Sequence, residues 1–332
     1  MLKKILHGIG VFISLLLITL ATLLSFSISW MFKTWTNLSM DELVYHLTAP
    51  IEGTNKDMIL NYLQSCLVPT ILILLIVIIL YIIFSKKKSF HLYIGGGAGI
   101  AIIALIVALT YAWNQLDVGN YLKNQNVESD FIEQYYVNPE ETVITFPEIK
   151  RNLIYIYLES MESTYASKED GGGMDFNCIP ELTTLAEENT NFSNSDKLGG
   201  GYPAYGCTWT MGGIFAQTSG IPIKNTEDIR NVNEDINDTL AQQTSFSSKA
   251  KNLEDILSEE GYNQYFMIGS DATFGGRRTY FESHGKTEIF DYTTAVEEGK
   301  IPEGYWVWWG YEDKKLFENA KEKLSEIGIK DE

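Results

Sequence analysis

Three long uncharged runs constrain this chain more than any other feature, because about 20 apolar residues in a helix cross roughly 30 Å of hydrocarbon. Residues 8–30 carry no charge, residues 67–84 are rich in Leu and Ile, and residues 92–113 are rich in Gly, Ala and Ile. Residues 1–116 are therefore expected to form a transmembrane region of three spans. A cleaved signal peptide is the competing reading of the first run, since Lys3 and Lys4 precede it and Ser25-Phe-Ser27 offers a small-x-small site. The run is long for a signal, which favours a retained span.

Short loops keep their positive charge on the cytoplasmic side. Lys3 and Lys4 precede the first span, and Lys86, Lys87 and Lys88 fill the loop between the second and third. The loop with Asp41, Glu42, Glu52 and Asp57 then faces outward despite Lys33 and Lys56, as does everything after Asp117. The expectation is a multi-pass protein of the cell membrane with an extracytoplasmic soluble domain.

A formal net charge of -18 over 332 residues argues against nucleic acid as a partner, because phosphate backbones are held by Lys and Arg. An anionic lipid would have to be met by a local cation, either a metal or a placed arginine. Of the three cysteines, Cys66 opens the second span. Cys178 and Cys207 lie in the outer part, where a disulfide between them is one reading and two separate thiols the other.

Residues 117–149 are polar and lack apolar periodicity, as in a juxtamembrane connector, and the outer domain is assigned to residues 150–332. Asn152-Leu-Ile-Tyr-Ile-Tyr-Leu158 has the length and continuous apolarity of a strand buried on both faces. Glu159 follows at its C-terminal end, where open α/β sheets place their ligand sites. A helix around Leu253, Ile256 and Leu257 leads into a second strand over residues 263–269, followed by Asp271. That alternation favours an α/β fold with a parallel sheet.

Several common chemistries are excluded by what is missing. There is no GxxxxGK[ST] loop, no GxGxxG turn and no GxSxG elbow, and His284 is the single histidine of the outer domain. What remains is a carboxylate after a strand and the hydroxyl-rich turn Cys207-Thr-Trp-Thr-Met-Gly-Gly213. Gly212 and Gly213 suit a tight helix start whose free N–H groups would hold an anion. A Thr hydroxyl needs a base or a metal to act as nucleophile. Taken bare, Thr-Trp-Thr also reads as a strand end and Glu159 as a helix cap.

The run Asn152 to Ser163, the Ile179-Pro-Glu-Leu-Thr-Thr-Leu-Ala186 stretch and the Thr210-x-x-Gly-x-x-Ala turn resemble the membrane-anchored phosphoglycerol transferases. That group includes the lipoteichoic acid synthases and belongs to the alkaline phosphatase and sulfatase superfamily. Trp309-Gly-Tyr-Glu-Asp313 resembles its Trp-Gly-x-x-Asp segment, and residues 38–43 with 52–54 resemble its first outer loop. The resemblance implies a sulfatase-like α/β domain, with Glu159 as an acidic metal ligand and Thr210 as the metal-bound nucleophile. Thr208 is the competing hydroxyl, but only Thr210 has the glycine three residues on. Arg277 resembles the arginine aimed at the substrate phosphate, for which a bidentate guanidinium is the geometric reason; a solvated Arg277 and Arg278 pair is the alternative. His284 reads as structural.

The implied cofactor is a divalent metal, Mn or Mg, with Zn as a further choice. The implied donor is a phosphatidylglycerol-type lipid, and the acceptor a cell-envelope glycan or teichoic acid. The resemblance also implies a histidine and an Asp-His pair after the Trp-Gly segment, which this sequence lacks. The expectation is thus a domain incomplete at its C-terminus. A phosphoethanolamine transferase, a sulfatase and a catalytically incomplete binding module are the rival readings. The first is disfavoured by the absence of a cysteine-rich pattern, the second by the absence of Cys-x-Pro-x-Arg.

Overall fold

The computed structural model describes residues 2–49, 52–124, 130, 134–193, 195–202, 204, 206–223 and 250–330. The chain divides into two compact units, Met1–Asp130 with Lys224–Glu332, and Phe131–Ile223.

In the first unit, α1 (Leu2–Thr34) is followed by a short α2 (Met40–Thr48). Next, α3 (Lys56–Tyr62) passes through a π turn at Leu63–Leu67 into α4 (Val68–Phe84), and α5 (Phe90–Gln115) returns. Among the described residues, three helices are long and apolar enough to cross a membrane: His7–Thr34, Lys56–Phe84 and Phe90–Gln115. The second begins well before residue 67 because the Asn55 side chain caps α3, accepting from the Asp57 amide at 2.8 Å. Ile76, Ile103 and Ile82 stay more than half exposed, as lipid-facing residues do, while Ile18, Ala21 and Ala101 pack inward.

Two hydroxyls inside the bundle meet each other. The Ser14 hydroxyl lies 2.7 Å from that of Tyr81 and donates to the Ile94 carbonyl at 3.1 Å. Gly97 leaves the room for this, since a Cβ there would stand 2.4 Å from the Tyr81 oxygen. Small residues and paired hydroxyls are the usual means by which membrane helices approach closely. At one end of the bundle Trp30 meets Trp35 and Tyr62 edge-on at 5.2 and 5.0 Å, and Phe32 meets Tyr111 at 5.6 Å. Aromatic side chains gather in this way at a membrane–water boundary. A short α6 (Val118–Asn124) follows.

The second unit holds α7 (Pro180–Glu188) and α8 (Thr210–Ser219), the latter closed by Gly220 in the left-handed conformation that favours glycine at a C-terminal cap. Met211, Ile214 and Phe215 of α8 are buried. The expected strand over residues 152–158 is not a strand. These residues are extended, but no ladder pairs them among the described residues, and Leu153, Ile154 and Ile156 are each more than half exposed. A strand needs neighbours for its backbone N–H and C=O groups as well as an apolar run.

The remainder of the first unit is a small α/β layer. Here α9 (Leu253–Glu259) starts from a capping box of Asn252 and Asp255. It leads to β1 (Tyr265–Met267), α10 (Arg277–Ser283), β2 (Glu288–Phe290), α11 (Tyr292–Glu297) and α12 (Asp313–Lys330). β1 and β2 pair in parallel with Phe266 opposite Ile289. The second expected strand thus forms, shortened to its central residues. Phe281 of α10 stacks on Phe266 at 3.9 Å, so the crossover helix covers the sheet, and Phe290, Ala295, Ile301 and Tyr311 form the adjoining core.

The Trp-Gly pair now has a physical reason. Gly310 bridges Ser270 just past the end of β1, and a Cβ on Gly310 would lie 1.8 Å from the Gly269 carbonyl oxygen. Only glycine lets the two backbones approach so closely.

Candidate active site

Glu159 and Thr210 are 51 residues apart in sequence, yet the Thr210 hydroxyl donates to Glu159 Oε1 at 3.0 Å. Two anchors produce this. The Tyr155 hydroxyl donates to Gln217 Oε1 at 2.6 Å, so the extended segment lies along α8. Four extended residues then span about 13 Å, close to the roughly 10 Å of helix between Gln217 and Thr210. At the far end a turn, with the Met161 amide donating to the Leu158 carbonyl at 3.3 Å, swings Glu159 across the start of α8. Ser160 takes φ 57° in that turn, a left-handed conformation that costs a non-glycine residue about 1–2 kcal/mol. Backbone strain of this kind is often found beside functional groups.

Thr210 is the first residue of α8, and the first intrahelical bond runs from the Gly213 amide to the Trp209 carbonyl at 2.8 Å. The amides of Thr210, Met211 and Gly212 therefore have no carbonyl within the helix, and the helix dipole adds partial positive charge there. Gly212 is obligatory for packing, because a Cβ would come within 2.4 Å of the Gly206 carbonyl and 2.9 Å of the Trp209 ring. The glycines seen in sequence as a tight helix start do serve one. Thr208, the competing hydroxyl, is exposed.

Cys178 and Cys207 are not joined by a disulfide in this structure; Cys178 is exposed and Cys207 half-buried. Burial pushes the Cys207 thiol above its ordinary value, so it stays protonated near neutral pH.

Arg277 belongs to the other unit. It is 7% exposed, donates to the Asp271 carbonyl at 3.0 Å and lies with its guanidinium carbon 5.5 Å from the Phe274 ring centre. The solvated-pair reading of Arg277 and Arg278 does not hold. Arg278 donates to the buried carboxylate of Asp291 at 2.5 Å, a structural ion pair. His284 is likewise buried, with Nδ1 2.8 Å from Asp255 Oδ2, the residue that caps α9.

The loop between the first and second candidate spans makes contacts that sequence reasoning missed. Tyr45 of α2 is fully buried and its hydroxyl donates to the Gly275 carbonyl, while His46 stacks on Phe274 at 6.3 Å. Burial and the nearby Arg277 both push the His46 imidazole below its ordinary value, so it is neutral at pH 7. The only sequence signal for this docking was the resemblance of residues 38–43 and 52–54 to a family loop.

One carboxylate and one hydroxyl do not fill the coordination sphere of Mn, Mg or Zn, each of which takes at least four ligands. No group of three or more His, Cys, Asp or Glu side chains suited to a metal occurs among the described residues. The residues present do not fit a complete metal site, and no chemical step is derived through one.

With this geometry in view, the sequence profile of the sulfatase family matches residues 151–331. The chain belongs to the sulfatase family. Within that class, it is 30% identical over 237 residues to phosphoglycerol transferase I of Escherichia coli O139:H28 (strain E24377A / ETEC) and to phosphoglycerol transferase I of Shigella boydii serotype 18 (strain CDC 3083-94 / BS512). The matched region is 69% of this chain and 28% of each relative, so the chain matches well under half the length of these curated proteins. No solved structure matches the chain.

Proposed function

We propose that this chain carries the nucleophile of a membrane-bound phosphoglycerol transferase whose donor is a phosphatidylglycerol-type lipid and whose acceptor is a glycan or teichoic acid hydroxyl. The observation that carries this reading is the 3.0 Å hydrogen bond from Thr210 to Glu159 at the exposed start of α8. Thr210 Oγ attacks phosphorus as its proton passes to Glu159 Oε1. The bond from phosphorus to the diacylglycerol oxygen breaks, and that oxygen takes up the proton. Glycerophosphate is left esterified to Thr210. In the second step an acceptor hydroxyl attacks phosphorus, and Thr210 leaves and recovers its proton. The amides at the helix start stabilise the charge on the phosphoryl oxygens in both steps. Arg277 is proposed to bind the substrate phosphate, and Mn or Mg, with Zn as the alternative, is the proposed cofactor of the active enzyme.

The test is to incubate a form of the protein extended through the Asp-His segment that the resemblance implies with phosphatidylglycerol and Mn or Mg, without acceptor, and to digest it; the 332-residue chain alone is expected to form no adduct. The peptide containing Thr210 is expected to gain the mass of one glycerophosphoryl group. Finding the adduct on Thr208, or on no residue while lipid is consumed, removes the assignment.

The reading also requires residues 131–223 to face the side where the acceptor lies, with the Lys86 to Lys88 loop opposite. In intact cells, a membrane-impermeant maleimide should label Asp175→Cys, at a highly exposed side chain, and spare Lys86→Cys until the cells are broken. The reverse pattern rejects the orientation.

A further inference from the structure

The sequence Tyr305-Trp-Val-Trp-Trp309 is unusually aromatic for a surface loop, and its residues are not equivalent. Trp306 packs edge-on against Tyr292 at 4.8 Å, and Trp309 packs on Phe274 at 4.9 Å. Between them Val307 is 52% exposed and Trp308 64% exposed. This is not a frayed tip. The Val307 amide donates to the Gly310 carbonyl at 2.7 Å, the Trp306 indole N–H donates to the Trp308 carbonyl at 2.6 Å, and Gly310 is bridged to Ser270. The fold therefore holds two neighbouring apolar side chains outward.

The same loop is fastened to a helix that the membrane anchors on both sides. Trp309 touches Phe274, Phe274 stacks on His46, and Tyr45 donates to the Gly275 carbonyl. His46 and Tyr45 belong to α2, which starts at Met40, with five residues between it and the end of α1 at Thr34. A connection of that length reaches at most about 20 Å. On its other side α2 leads to the helix Lys56–Phe84, the second candidate span. The boundary at this end of the bundle is marked by Trp30, Trp35 and Tyr62.

We infer that Val307 and Trp308 form a lipid-contact site that enters the headgroup layer of the same bilayer crossed by α1, α4 and α5. Tryptophan suits that layer because its ring is apolar and its N–H can still be hydrated. The charges around the loop are mixed, with Lys315 3.6 Å from Glu312 and Glu303 exposed, so the contact calls for a zwitterionic surface as well as an anionic one. This inference rests on the three spans crossing the bilayer and is independent of the transferase chemistry.

The test uses the full chain with Cys66, Cys178 and Cys207 replaced by Ser and a polarity-sensitive fluorophore attached at Trp308→Cys. A second variant carries it at Val307→Cys, and an exposed control at Glu303→Cys. In phosphatidylcholine vesicles, the probes at 307 and 308 should be quenched by spin-labelled lipid, and their quenching by aqueous iodide should be several-fold weaker than at 303. Orientation in the vesicles affects all three equally. Iodide quenching at 307 and 308 equal to that at 303 overturns the inference. Shielding from iodide without quenching by the spin-labelled lipid also overturns it, since a protein surface or bound saccharide would then be the cover.

Discussion

In a form of the protein extended through the Asp-His segment, Thr210→Ala is expected to lower turnover of phosphatidylglycerol by on the order of 10^4-fold or more, since removing a nucleophile closes the covalent route and leaves only binding and electrostatic contributions. The helix should survive, because alanine is a good first-turn residue and, among the described residues, the Thr210 side chain bonds an exposed carboxylate. Thr208→Ala, at an exposed position, should change turnover little. Glu159→Gln keeps an acceptor for the Thr210 hydroxyl but removes the base, so it should lose most activity while circular dichroism stays at the parent level. The measurement is release of diacylglycerol in vesicles. Turnover surviving in Thr210→Ala would show that the hydroxyl, although well placed, is not the nucleophile.

The second large effect is on stability. Asp291 is fully buried and answers four donors: the Ala272 amide at 2.9 Å and the Arg278 guanidinium on Oδ2, the Thr294 amide at 3.1 Å and the Thr294 hydroxyl at 3.2 Å on Oδ1. It thereby caps α11, ties that helix to the end of β1 and neutralises α10. Asp291→Ala should destabilise the 250–330 region by about 3 kcal/mol, the low end for breaking a buried pair, because Arg278 retains some solvent. Arg278→Met should cost less, since Asp291 keeps its other donors and the replacement packs. Thermal unfolding in detergent, followed by proteolysis at residues 250–330, would read both. An Asp291→Ala protein as resistant as the parent would mean that the network contributes little.

These two sites differ in how far the sequence disclosed them. Thr210 and Glu159 are picked out by the family resemblance of the runs that carry them, because the local patterns alone leave a strand end and a helix cap as readings. Their 3.0 Å meeting depends on Tyr155 reaching Gln217, which no local pattern shows. Membrane spans depend on length and apolarity alone, so all three were legible, whereas the early start of the second needed the Asn55 cap. The reading of 152–158 as a strand failed because an apolar run says nothing about the neighbour that completes a ladder. Arg277 and Arg278 are adjacent and identical in type. Only the structure separates the one beside Phe274 from the one neutralised by Asp291. The aromatic ring of Trp30, Trp35 and Tyr62 was visible in sequence, and an interface rule applied to the span ends would have found it.

The π turn at Leu63–Leu67 changes how the second span must be mapped. It accommodates one residue more than an α-helical turn, and each residue in an α-helix advances the azimuth by about 100°. A helical wheel drawn continuously from Lys56 to Phe84 therefore assigns wrong faces to everything past the turn. With the phase corrected, buried Thr70, whose hydroxyl donates to the Cys66 carbonyl, and buried Tyr81 fall on the inward side. Removing one residue within the turn would regularise the backbone yet rotate α4 by about a quarter of a revolution relative to α3. Tyr81 would then swing away from Ser14, so a shorter and more ideal helix would unmake the polar contact that joins the spans.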